Sequence, residues 1–168
     1  LYAEGFMKTL AEWAQSHGIL STGHQDQEEV LNTTCVSGDL MLDGKYMQSP
    51  GIDRIGGAQP TENLYKVVSS SANNWDHTEV MSETYGAMGN ISVDYMYQIA
   101  IEQYTKGINN LIPHAVWYNT GDVTFLPELS WRNPAYNSRL REFNIFLARM
   151  KYMLCRPAQH IADIAVLY

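Results

Sequence analysis

The chain has no run of Lys or Arg, few cysteines and no long uninterrupted stretch of apolar residues. Among its 168 residues, 11 Lys and Arg face 18 Asp and Glu, for a formal net charge of -7 and a pI near 5.1. Proteins that track phosphate backbones carry a basic stripe, so nucleic acid is not an expected partner. No window approaches the roughly eighteen apolar residues that a membrane helix needs, so no membrane span is expected. The two cysteines, Cys35 and Cys155, lie far apart and neither has a CxxC neighbour. That excludes a zinc ribbon or a dithiol redox site and leaves free, packed thiols as the plain reading. There is no Gly-x-Ser-x-Gly elbow, no His-Glu-x-x-His pair and no glycine fingerprint after a first strand. The chain opens on Leu1-Tyr2-Ala3-Glu4, without an initiator Met or a signal-peptide pattern, and reads as an internal piece of a longer protein.

What is present is a globular composition, 45% apolar and 17% charged, at a length that supports one domain with a core. Phe6, Leu10, Trp13 and Ala14 recur at helical spacing over residues 4 to 16, and Ile19-Leu20-Ser21-Thr22 then reads as a short buried strand. Strands are also expected at Ile52-Asp53-Arg54-Ile55, Tyr65-Lys66-Val67-Val68-Ser69, Glu79-Val80-Met81-Ser82 and from Gly107 to His114. A helix over 92 to 106 places Val93, Met96, Tyr97, Ala100, Ile101 and Tyr104 on one face. A long loop rich in Asn, Pro and Trp runs from about Tyr118 to Pro134. A second long helix, about 136 to 155, carries Leu140, Phe143, Phe146, Leu147, Met150 and Leu154. Ile161 to Tyr168 is a strand-like run. Alternation of helix and buried strand predicts an α/β fold with a parallel sheet. Several strand ends in polar turns point to a partial (β/α)8 TIM barrel over residues 1–160, with 161–168 starting a following strand or accessory domain. An open doubly wound sheet is the alternative, without its glycine fingerprint.

The run Val80-Met81-Ser82-Glu83 delivers a carboxylate into the turn Thr84-Tyr85-Gly86-Ala87-Met88. A carboxylate at a barrel strand end suits proton transfer or nucleophilic attack, and a salt-bridged or capping Glu83 is the plain alternative. Asp26, Glu28 and Glu29 follow the Gly23-His24 turn, where they would supply a second carboxylate or oxygen ligands for a hard cation. Glu28 and Glu29 equally suit a solvated first helical turn. Asp53 suits a substrate hydroxyl or the orienting of Arg54, and a buried Asp53–Arg54 pair accounts for it as well. His24 and His114 end apolar runs and suit hydrogen bonds to hydroxyl groups, although isolated histidines are more often structural. Trp117, Tyr118 and Trp131 offer flat faces suited to a pyranose ring, or simply pack the loop. Ser70, between Ser69 and Ser71, offers a hydroxyl to a ligand. The methionines, Met96 among them, read as core filler.

Taken in order, Gly23-His24, Pro50-Gly51-Ile52-Asp53, Lys66-Val67-Val68-Ser69-Ser70-Ser71-Ala72, Ser82-Glu83-Thr84-Tyr85-Gly86-Ala87, Gly107-Ile108-Asn109 with Pro113-His114, and Ala162-Asp163-Ile164-Ala165-Val166-Leu167-Tyr168 resemble the barrel of bacterial glycoside hydrolases of family 106, the α-L-rhamnosidases. The resemblance covers nearly the whole chain. It implies the C-terminal half of a (β/α)8 barrel and a secreted or periplasmic enzyme that hydrolyses an α-linked deoxysugar with inversion. It also implies assistance by calcium, with no calcium ligands matched to positions here. Glu83 matches the strand-end catalytic glutamate, the general base, and the acid partner is expected in the rest of the parent chain. A retaining glycosidase with Glu83 as nucleophile and the acid from the Asp26 region is one alternative. A carbohydrate-binding barrel module that no longer cleaves is the other.

Overall fold

A computed structural model describes residues 1–25, 37–56, 64–158 and 160–167. A π-helical turn over Tyr2–Met7 continues into α1 (Lys8–Ser16), followed by β1 (Thr22–Gly23), α2 (Leu40–Asp43), β2 (Ser49–Arg54), α3 (Leu64–Asn74), β3 (Met81–Thr84), α4 (Val93–Thr105), β4 (Asn110–Pro113) and α5 (Leu140–Leu154). The four strands form one parallel sheet in chain order, β1-β2-β3-β4. No helix among the described residues is long and apolar enough to cross a membrane.

Side chains alternate across a strand, so register fixes which residues share a face. Asp53 pairs with Glu83 and Glu83 with Ile112, which puts Gly51, Asp53, Met81, Glu83, Asn110 and Ile112 on one face. Ile52, Arg54, Ser82, Thr84 and Leu111 take the other face and are buried. That second face meets the helices. Ile52 and Leu111 join Tyr65, Val68 and Ala72 of α3, Met96, Ile99 and Ala100 of α4, and Phe143 and Leu147 of α5 in one core. Tyr97 sets its ring edge-on to Phe143 and Phe146, with centroids 5.1 and 5.0 Å apart, and ties α4 to α5.

Several expectations shift by a face or a class. Tyr65 to Ser69 is helix, within α3. Tyr65, Val68, Ser69 and Ala72 are buried at three- and four-residue spacing, and that period outweighs the strand preference of Val67-Val68. In the first helix, Ala3, Met7, Ala11 and Ala14 are buried, while Phe6, Leu10 and Trp13 are about half exposed. Small side chains let the helix approach its neighbours closely, so the large apolar ones turn outward. Ile19 and Leu20 are exposed too, because they precede β1, whose register with β2 begins at Thr22 among the described residues.

The helix over 92 to 106 forms as α4, with Ser92 capping it by accepting from the Tyr95 amide at 3.2 Å. Ile101 is exposed and Gln103 takes the place expected of it in the buried face. Gly107 ends α4 at φ +98, and a Cβ there would sit 2.7 Å from Ser69 Cβ, so only glycine serves both the turn and the close approach. α5 starts at Leu140, four residues later than its spacing suggests. The buried Tyr136 precedes it in a turn and donates its hydroxyl to the Ile91 carbonyl at 2.8 Å. Leu154, at the end of α5, is exposed. Residues 161–167 form no strand, and Ile161, Ile164, Val166 and Leu167 are exposed.

Candidate functional site

The C-terminal ends of all four strands converge on one cluster. His24 follows β1 directly, Asp53 and Glu83 lie near the ends of β2 and β3 as register partners, and His114 follows β4. His24 Nε2 stands 3.3 Å from Glu83 Oε2 and 4.0 Å from Asp53 Oδ2. His114 Nε2 stands 4.0 Å from the other oxygen, Glu83 Oε1. One carboxylate is thus shared between two imidazoles, with a second carboxylate alongside. One ligand atom each from His24, Asp53 and Glu83 lies within 4.8 Å of the other two, a grouping that can hold a metal ion.

Local structure explains how each side chain arrives there. His24 Nδ1 meets its neighbour's carbonyl, Gln25 O, at 3.3 Å, which holds Nε2 toward the carboxylates. Gly86 lies against the His114 ring, and a Cβ at this position would sit 3.4 Å from His114 Cγ. The turn after Glu83 is strained. Tyr85 takes φ +85 and Ala87 φ +56, backbone regions that L residues adopt at a cost of about 1–3 kcal/mol each. Tyr85 is held there by burial, by its hydroxyl bond to Met96 O at 2.9 Å, and by its amide bond to Arg54 O at 3.2 Å.

Of the residues expected at the site, Glu83, Asp53, His24 and His114 come together. Trp117 joins them by setting its ring edge-on to His114, with centroids 5.2 Å apart. Tyr118 and Trp131 stand exposed on the following loop. Ser70 does not belong to the cluster: it is exposed in α3, in the helical layer, because the segment expected to end a strand is helix. Its neighbours serve packing, with Ser69 Oγ donating to Lys106 O at 2.9 Å and Ser71 Oγ to Met41 O at 2.8 Å. Arg54 does not face Asp53. It leaves β2 on the opposite side, is buried, and donates to Gly56 O at 3.0 Å. Asp26, Glu28, Glu29 and Cys35 lie outside the described residues. Cys155 is a free, half-buried thiol, and burial, more than the nearby Glu79 carboxylate, raises its pKa.

Two features escape a reading of the sequence. Arg132 clamps the loop beside the cluster by donating to Trp117 O at 2.6 Å, to Tyr118 O at 3.4 Å and to the buried carboxylate of Glu128. The Glu128-x-x-x-Arg132 spacing would suggest a helical pair, but these residues lie in a loop. Behind Glu83, Ser82 Oγ and Thr84 Oγ1 bond at 2.8 Å, and Gln103 Nε2 of α4 donates to Thr84 Oγ1 at 3.2 Å. No protein-family model matches the chain, and no curated protein matches it.

Proposed function

We propose that this chain is part of a (β/α)-barrel glycoside hydrolase of the α-L-rhamnosidase-like kind, with Glu83 as the base that activates water. The observation that carries the reading is the convergence of His24, Asp53, Glu83 and His114 from four successive parallel strand ends. Barrel enzymes gather their chemistry on that side of the sheet. Strand order supports the barrel over a doubly wound sheet. With right-handed crossovers, strands laid down in sequence put every connecting helix on one face, and the core here forms on one face. The remaining strands and the acid partner would come from the rest of the parent chain.

In this reading Glu83 takes a proton from the water that attacks the anomeric carbon, while an acid on the far side of the sugar protonates the leaving oxygen. His24 lies within hydrogen-bond distance of one oxygen of Glu83, at 3.3 Å, and His114 stands 4.0 Å from the other. Asp53 is not that acid in an inverting enzyme. Its oxygen lies within 4.8 Å of a Glu83 oxygen, whereas inversion needs roughly 6.5–9.5 Å between the carboxyl groups. Asp53 instead supports His24 or receives a sugar hydroxyl. The same short spacing favours a second reading, in which Glu83 is the nucleophile of a retaining enzyme, where roughly 5–5.5 Å is usual. Trp117, with the exposed Tyr118 and Trp131, supplies aromatic surface for the apolar face of a sugar.

Among the described residues, this cluster offers the calcium that the resemblance implies two carboxylates and an imidazole nitrogen. Calcium takes about 6–8 oxygen ligands, and the group within reach here includes an imidazole nitrogen. No step is therefore routed through it. The test is hydrolysis of aryl α-L-rhamnosides and other aryl glycosides by the full parent chain, with and without Glu83→Gln, following the product anomer by NMR. Loss of turnover in the variant with an inverted product supports the base role, and a retained anomer supports the nucleophile. Full activity in Glu83→Gln refutes both, and sugar binding without cleavage by the unaltered chain makes it a binding module.

A further inference from the structure

We infer that His24, Asp53 and Glu83 form a site for a divalent transition-metal ion of the zinc class. The inference deepens the reading of the same cluster but does not depend on glycoside hydrolysis.

The first observation is geometric. His24 Nε2 lies 3.3 Å from Glu83 Oε2 and 4.0 Å from Asp53 Oδ2. A tetrahedral ion with bonds of about 2.1 Å has donor-to-donor edges of about 3.4 Å, so small rotamer adjustments bring all three donors onto one ion. The donors come from three adjacent strands. Asp53 and Glu83 are register partners, so the sheet holds their separation.

The second observation is how His24 is held. Its Nδ1 lies 3.3 Å from the Gln25 carbonyl while its Nε2 faces the carboxylates of Glu83 and Asp53. A histidine held through one ring nitrogen by a backbone carbonyl, with the other turned to neighbouring donors, has the outer-shell support usual for a metal-ligating histidine.

The third observation is the donor set. One imidazole nitrogen with two carboxylates suits zinc, manganese, iron(II) or cobalt(II), whereas calcium prefers oxygen alone. His114, on the other oxygen of Glu83 at 4.0 Å, leaves that oxygen outside the triad. Glu83 can thus ligate through Oε2 and keep Oε1 for its own chemistry.

The test uses the full parent chain, stripped with a chelator and titrated separately with Zn2+, Mn2+ and Ca2+ by calorimetry at neutral pH, with Co2+ as a visible-absorption probe. One equivalent of Zn2+ or Co2+ is expected, with Ca2+ at least about a hundredfold weaker. His24→Ala, at a partly exposed position, and Asp53→Asn, which keeps volume, should each lower Zn2+ affinity about tenfold or more with unchanged circular dichroism. Tighter binding of Ca2+ than of Zn2+ overturns the inference. So does unchanged Zn2+ affinity in both variants, or no stoichiometric uptake of Zn2+ or Co2+. Metal uptake by a chain that hydrolyses no glycoside keeps the site and removes the hydrolase reading. Glycoside turnover without uptake does the reverse.

Discussion

Asp43 should make the protein less stable as pH rises from 4 to 7, and Asp43→Asn should remove that loss. The residue ends α2, is 1% exposed, and neither carboxylate oxygen has a hydrogen-bond partner among the described residues. It lines a cavity of about 20 Å3 with Gln25, Met47, Ile52 and Val68, room for one water. Burial, and then the Asp39 carboxylate, push its pKa from 3.8 to about 6. The folded state therefore holds the proton more tightly than the unfolded chain does. The stability that goes with the protonated form is fully present below about pH 4, is lost as pH rises through about 6, and is level above that. A shift of about two units corresponds to about 3 kcal/mol, an order-of-magnitude figure. Asparagine keeps the shape and never ionises. At pH 7.5 Asp43→Asn should be more stable than the unaltered protein by up to that amount, and at pH 4 the two should agree within about 0.5 kcal/mol. Urea unfolding followed by tryptophan fluorescence at half-unit steps from pH 4 to 8 would show the two curves diverging from just above pH 4 and running at a constant separation above about pH 6. Parallel curves, or a less stable variant at pH 7.5, would refute the reasoning.

Met96 of α4 is fully buried in the core that the sheet shares with α3 and α5, so Met96→Ala should cost about 2–5 kcal/mol in urea unfolding, and a neutral result would mean that the site repacks. Gly51→Ala places a Cβ 2.6 Å from Met81 Sδ and 2.8 Å from Gly23 O. It should cost about 1–3 kcal/mol and disturb His24, the next residue in β1's exit, as read by a shift in the His24 ring resonances. Arg132→Ala leaves Glu128 buried without its partner and frees the carbonyls of Trp117 and Tyr118. A loss of about 3–5 kcal/mol is expected, together with faster protease cleavage between 117 and 126. Unchanged cleavage would mean that the loop is held by other contacts.

The site was legible where chemistry coincides with a change of pattern. Glu83, Asp53, His24 and His114 each sit where an apolar run breaks into a polar turn, and strand ends of a parallel sheet bring such residues together. α4 and α5 were legible because their apolar period spans three turns or more. The failures have physical causes. Tyr65 to Ser69 has the composition of a strand, and only its continuation through Ala72 reveals the helical period. In the first helix Ala14 is buried as its spacing suggests, but Phe6, Leu10 and Trp13 are not, because Ala3, Met7 and Ala11 line the packed face. Ser70 fell with the strand that was expected to end there. The Arg132–Glu128 clamp and the buried Asp43 depend on loop paths and burial that no local pattern encodes.

β3 shows why the carboxylate points where it does. A buried parallel strand is ordinarily apolar on both faces, yet Ser82 and Thr84, on either side of Glu83, are fully buried on the helix side. Left alone, these hydroxyls would carry a desolvation cost. They bond instead to each other, and Thr84 bonds to Gln103, itself fully buried in α4. Satisfying those bonds fixes the roll of β3 about its axis. Because adjacent residues project to opposite faces, fixing Ser82 and Thr84 toward α4 fixes Glu83 toward His24, Asp53 and His114. Apolar residues at 82 and 84 would pack the same face but set its roll only by shape. The hydroxyl pair sets it by direction as well, and this ties the orientation of the site's central carboxylate to a polar contact on the far side of the sheet.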